Sequence, residues 1–114
     1  MIEVRYSEEF NKDYVKLRKK ADEGNSESKY LIELISKATA NLSVDRESGT
    51  KIPRRLWPKE YIIRHDVKNL WKYKLDSFWR LVYTITGNEV NFFVIYLEYM
   101  DHKSYDRKFG YKTS

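Results

Sequence analysis

The chain has 114 residues, 41% of them hydrophobic and 16% aromatic, with four glycines and two prolines. That composition describes one globular domain over residues 1–114 and excludes a disordered or low-complexity chain. The absence of cysteine excludes disulfides and thiolate chemistry, and no apolar run approaches the roughly 20 residues that cross a bilayer. The net charge is +5, and residues 51–80 alone hold nine Lys or Arg against three acids. Such concentration suits a polyanionic partner better than it suits general solubility.

The start, "MIEVRYSEEF", lacks the basic end and apolar run of a secretion signal. A soluble cytoplasmic protein is expected. Ile2 to Tyr6 alternates apolar and polar residues, the period of a half-buried strand. Ser7 then reads as a helix N-cap, with Glu8 and Glu9 suited to the positive end of the helix dipole. Phe10, Tyr14, Leu17 and Ala21 form one apolar stripe, and Asp22 to Ser28 breaks it. A second helical stripe follows at Leu31, Leu34, Ile35, Ala38 and Leu42, so the two helices are expected to form an antiparallel hairpin.

From Ser43 to Pro58 no period is visible; this reads as a basic loop, with a short helical piece at Pro58 to Arg64. Leu70 to Leu75, Phe78 to Ile85 and Val90 to Leu97 read as strands, with a two-residue turn at Gly87-Asn88. The segment "DHKSYDRKFG" reads as a short terminal helix ended by Gly110. The expected fold is α+β in the order β-α-α-β-β-β. Its two N-terminal helices pack on one face of a small, mostly antiparallel, four-stranded sheet.

Lys72 and Lys74 project from one strand face, while Trp71, Tyr73 and Leu75 project from the other toward the helices. On the next strand Arg80 shares a face with Phe78, Val82 and Thr84. A two-residue turn at Asp76-Ser77 pairs Tyr73 with Arg80 and separates Arg80 from the lysines. A three-residue loop or a bulge pairs Lys74 with Arg80 and gathers all three cations. The second register is favoured, because an arginine buried under the helices without a partner is costly. The three cations are then expected to line a face that no helix covers. Lys51, Arg54, Arg55, Arg64 and Arg107 are further candidates for binding a phosphate backbone. His102 and Tyr105, just past the last strand, are candidates to hold or protonate an oxygen. Two histidines and scattered acids show no metal-ligand spacing, and there is no phosphate-cradling glycine loop and no serine nucleophile motif. Neither a metal nor another cofactor is expected.

The run Asn69 to Tyr111 resembles the RelE/ParE superfamily of bacterial and archaeal toxins. The resemblance rests on Lys72-Tyr73-Lys74-Leu75, then Trp79-Arg80-Leu81-Val82-Tyr83, then an apolar strand followed by His102 and Tyr105. It implies the toxin half of a type II toxin–antitoxin pair, a metal-independent, ribosome-associated mRNA endonuclease that uses the RNA's own 2′-hydroxyl. By that resemblance Arg80 stabilises the transition state, while Lys72 and Lys74 bind phosphate or assist as base. His102 and Tyr105 share acid–base or positioning work, with Arg107 in the place of a family arginine. Its partners are a cognate antitoxin, mRNA and the ribosome, with no membrane and no small-molecule cofactor. Two other readings stand beside it: a ParE-like toxin that blocks DNA gyrase, and a non-catalytic RNA-binding relative. The chain departs from the ribonuclease members at Leu97-Glu98-Tyr99-Met100, where those members often carry an arginine, and the acidic Glu98 is unfavourable beside an RNA phosphate.

Overall fold

The computed structural model describes residues 1–110; Tyr111, the last residue of the matched run, lies outside them. The elements run β1 (Ile2–Tyr6), α1 (Glu8–Asp22), α2 (Ser26–Val44), β2 (Thr50–Lys51), a 3-10 turn (Arg54–Leu56), α3 (Lys59–His65), β3 (Trp71–Lys74), β4 (Trp79–Gly87), β5 (Phe92–Asp101) and α4 (His102–Phe109). The strands form one five-stranded mixed sheet in the order β1-β5-β4-β3-β2. β1 runs parallel to β5, and the other neighbours are antiparallel. The four-stranded expectation missed β2, a two-residue strand inside the segment read as loop. Two residues are too few to show an alternating pattern. No helix among the described residues is long and apolar enough to cross a membrane.

Local chemistry sets the helix ends. The Ser7 hydroxyl accepts from the Phe10 amide at 3.1 Å and starts α1. The Asn25 side chain accepts from the Ser28 amide at 2.8 Å, so α2 begins at Ser26, inside the segment expected to break the chain. Asp101 does the same for α4 through Ser104, and Gly110 ends that helix at φ 70, a left-handed conformation open to glycine.

The first core lies between the helical hairpin and the sheet. Phe10, Tyr14 and Leu17 of α1 and Leu31, Ile35, Ala38 and Leu42 of α2 pack on Leu81, Tyr83, Val94 and Tyr96. Each large apolar side chain among them contributes about 1.5–3 kcal/mol through removal from water. Trp71, Tyr73 and Leu75 meet this core, as their spacing required.

The opposite face carries a second core that the sequence reading did not anticipate. Ile52, Tyr61, Val67, Leu70, Val82, Leu97, Met100, Tyr105 and Phe109 pack together there. The 52–70 segment with α3, and the terminal helix α4, therefore cover much of the face expected to be open. The connector is a structural layer.

Two other boundaries shift. The β4–β5 connection is a four-residue loop, not a two-residue turn: the Asn88 amide donates to the Asn91 carbonyl at 2.9 Å, and the Asn88 side chain accepts from Val90 and Asn91. β5 accordingly begins at Phe92 and extends to Asp101. The register of β4 against β5 jumps between Val82, opposite Glu98, and Tyr83, opposite Tyr96, leaving Leu97 as the extra residue of a bulge. The bulge puts both Leu97 and Glu98 on the side of the second core.

Candidate functional site

The β3–β4 register gathers the cations. Lys74 lies opposite Arg80 and Lys72 opposite Val82, so Lys72, Lys74 and Arg80 share the sheet face turned away from α1 and α2. The cause is the three-residue loop Asp76-Ser77-Phe78, closed by the Leu75 amide on the Trp79 carbonyl at 3.0 Å. Asp76 holds that loop. One of its oxygens accepts from the Phe78 and Trp79 amides at 2.8 and 2.7 Å, and the other accepts from the Tyr30 hydroxyl at 2.8 Å. Desolvation pushes the Asp76 carboxyl up, but these hydrogen bonds and the Arg80 charge outweigh it and hold the carboxyl below its usual value.

Arg80 is half-buried, and its Nη1 donates to the Asp76 carbonyl at 2.9 Å and to the Trp79 carbonyl at 3.2 Å. These bonds fix the guanidinium at the loop and use no carboxylate. Among the described residues neither Arg80 nor Lys74 forms an ion pair. The Lys72 ammonium sits 5.2 Å from the centre of the Tyr105 ring.

All three cations line one cleft of about 760 Å³ at the β2–β3 edge of the sheet. Its other wall is the C-terminal end of α2 (Asn41, Val44, Asp45) with Ser48, Gly49 and Thr50. Asn41 ties that wall to β3 by donating to the Tyr73 hydroxyl at 2.6 Å. Gly49 allows the closest approach. A Cβ there would overlap the Lys72 carbonyl and lie 2.7 Å from the Tyr83 hydroxyl. That hydroxyl accepts from the Gly49 amide at 3.2 Å and donates to the Arg46 carbonyl at 2.9 Å, and burial pushes its pKa up to about 12. Neither Gly49 nor Asn41 carried a sequence signal, because their part is to shape the cleft wall.

The remaining candidates divide. Lys51 pairs with Trp71 and so projects on the α1–α2 side, away from Lys72. Arg54 and Arg55 are exposed on the 3-10 turn, with the Arg54 guanidinium 5.2 Å from the Trp57 ring centre. Arg64 lines a different cleft, of about 280 Å³, with Glu9, Lys12, Glu60, Glu98 and Lys108 among its neighbours. Arg107 is exposed on α4, 3.5 Å from the Ser104 hydroxyl. His102 opens α4; its amide donates to the Phe78 carbonyl at 2.7 Å, and its ring packs at 79° to the Phe78 ring. Tyr105 is 1% exposed and stacks on Phe109 at 4.5 Å. Buried there, with the Lys72 ammonium over its ring, it has no route to a phosphate in solvent.

Glu98, the residue at odds with RNA, is engaged by neighbouring side chains. It accepts from the Tyr61 hydroxyl, and Lys108 Nζ lies 2.8 Å from both Glu98 and Glu60. Burial and the Glu98 charge push the Tyr61 hydroxyl far above its ordinary value. Lys108 is raised despite its own desolvation, because two carboxylates hold its proton.

A family model described as the ParE toxin of the type II toxin–antitoxin system parDE matches residues 4–97. The chain belongs to this ParE toxin family. It is therefore a member of the RelE/ParE superfamily and the toxin half of a type II pair, with a cognate antitoxin as its partner. The ParE match takes in the Lys72, Lys74 and Arg80 cluster and stops before His102 and α4. None of the curated proteins and none of the solved structures matches the chain.

Proposed function

We propose that this toxin acts in the cytoplasm as a ribosome-associated mRNA endonuclease that needs no metal. The observation that carries this reading is the register-driven gathering of Lys72, Lys74 and Arg80 on one cleft, with Arg80 fixed by backbone carbonyls instead of a carboxylate. In the reaction the 2′-oxygen attacks the adjacent phosphorus, a P–O2′ bond forms and the P–O5′ bond breaks. The products are a 2′,3′-cyclic phosphate and a free 5′-hydroxyl. Charge grows on the phosphoryl oxygens along the way. A fixed guanidinium offers paired donors to that charge, and preorganised donors of this kind are worth about 10²–10³ in rate. Lys72 and Lys74 hold the phosphate, and their charge assists loss of the 2′-hydroxyl proton to solvent water. His102 protonates the departing 5′-oxygen. Arg54, Arg55 and Arg107 add backbone contacts further along the strand, and Tyr105 acts by positioning Lys72.

The family description favours a second reading, a ParE-like toxin that blocks DNA gyrase. One paired experiment separates the two. Purified protein is added to ribosomes programmed with a defined mRNA, and separately to a gyrase supercoiling reaction. The nuclease reading expects cuts inside the translated region and intact supercoiling. Inhibited supercoiling with intact mRNA overturns it and supports the gyrase reading.

A further inference from the structure

Phe78 has no part in the chemistry above, yet it is the residue that the loop presents most deliberately. It is a large aromatic side chain left 46% exposed on the loop that sets the Lys74–Arg80 register. Its backbone is tied at both ends, the amide to the Asp76 carboxylate at 2.8 Å and the carbonyl to the His102 amide at 2.7 Å. Its ring is tied as well. Trp79 meets it at 5.1 Å and 82°, and His102 meets it at 5.5 Å and 79°. Two near-perpendicular neighbours brace the ring, and nearly half of the residue stays open to solvent. An exposed, immobilised π-face loses little entropy on contact with a flat partner.

The surroundings indicate which flat partner. Arg80 follows two positions later, on the same side of the sheet, with Lys74 directly across from it. An aromatic face beside a row of cations matches the two parts of a single-stranded nucleic acid, a base and its phosphates. We infer that Phe78, backed by His102, is a stacking platform for one unpaired RNA base next to the phosphate held by Lys74 and Arg80. This inference rests on the nuclease reading and extends it: Phe78 would select RNA whose base at that position is unstacked from its neighbours, and it would favour bases with the larger π-face.

The test uses a short single-stranded RNA carrying 2-aminopurine, with its 2′-hydroxyls methylated to prevent cleavage. Binding and fluorescence quenching are followed for the wild type, Phe78→Trp, Phe78→Leu and Arg80→Ala. Stacking on an aromatic residue is worth about 1–3 kcal/mol per base, so Phe78→Leu is expected to weaken binding roughly tenfold and to abolish quenching. Phe78→Trp, which keeps a π-face, is expected to stay within about twofold of wild type. Leucine keeps the apolar bulk and the loop, so a purely structural role for Phe78 predicts wild-type binding by Phe78→Leu. That result, alongside weakened binding by Arg80→Ala, overturns the stacking platform and leaves the nuclease reading standing. Failure of the wild type to bind the RNA overturns the stacking platform, and cleavage on programmed ribosomes then decides the nuclease reading separately.

Discussion

Two clefts of this protein hold lysine and arginine, and they differ in what surrounds the charge. In the cleft between α1, α3 and the β5 bulge, Lys12, Lys16, Arg64 and Lys108 are matched by the carboxylates of Glu9, Asp13, Glu60 and Glu98. Lys108 bridges Glu60 and Glu98, and His65 Nε2 lies 3.1 Å from Glu9. In the cleft beside β3, Lys74 and Arg80 form no ion pair among the described residues, and Asp45 is the one acid in the lining. The first arrangement spends its electrostatics on joining α3 and α4 to the sheet. The second leaves positive potential facing solvent, where it can meet a phosphate. Charge counted along the chain cannot separate these cases. Charge counted with its partners can.

The largest expected effect belongs to Arg80. Arg80→Ala should lower mRNA cleavage by about 10²–10³ while circular dichroism and thermal melting stay near wild type. Loss of folding together with activity would place Arg80 in the structural class with Lys108. Gly49→Ala comes next. Its new methyl group would meet backbone at Lys72, so about 1–3 kcal/mol of stability should be lost in urea denaturation, with cleavage reduced in the same protein. Lys108→Ala should do the reverse of Arg80→Ala. It leaves Glu60 and Glu98 facing each other, costs about 1–3 kcal/mol, and leaves cleavage by the folded fraction within a few-fold of wild type.

Asp76 supplies the smallest effect and a sign. Its folded-state pKa is depressed, so the stabilisation it gives is complete above the ordinary aspartate value of 3.8 and fades as acid takes the pH below it. A stability–pH curve for Asp76→Asn should therefore be flatter than wild type on the acid side and lower above it. An unchanged acid limb would remove Asp76 as the clasp of the β3–β4 loop.

Much of the candidate site was legible because burial restricts register. The cost of an arginine under the helical hairpin was enough to choose the three-residue loop, and Lys74 does lie opposite Arg80. The apolar stripes of α1 and α2 were equally plain, since each is long and regular. The second core was not legible. Ile52, Tyr61, Val67 and Leu70 are spread through a segment with no period, and they become a layer only when α4 brings Tyr105 and Phe109 against them. For the same reason the face carrying the cations looked open, and Tyr105 looked available. Lys51 was read within an aperiodic loop, which gives no face, and its pairing with Trp71 turns it to the side of α1 and α2. Arg64 belonged to the basic window in sequence and, in space, to the cleft lined by Glu9, Asp13, Glu60 and Glu98. The bulge at Leu97 and Glu98 left no mark in the sequence, although it decides that Glu98 meets Tyr61 and Lys108.

The central claim is that the cations beside β3 grip an RNA backbone and those beside α3 do not. The salt dependence of single-stranded RNA binding reads this directly, because each neutralised phosphate contributes about 0.7 to the slope of log affinity against log salt. Arg80→Ala and Lys74→Ala should each lower the slope by about that amount, and Arg64→Ala should leave it unchanged. A slope that falls with Arg64→Ala and holds with Arg80→Ala would contradict the account.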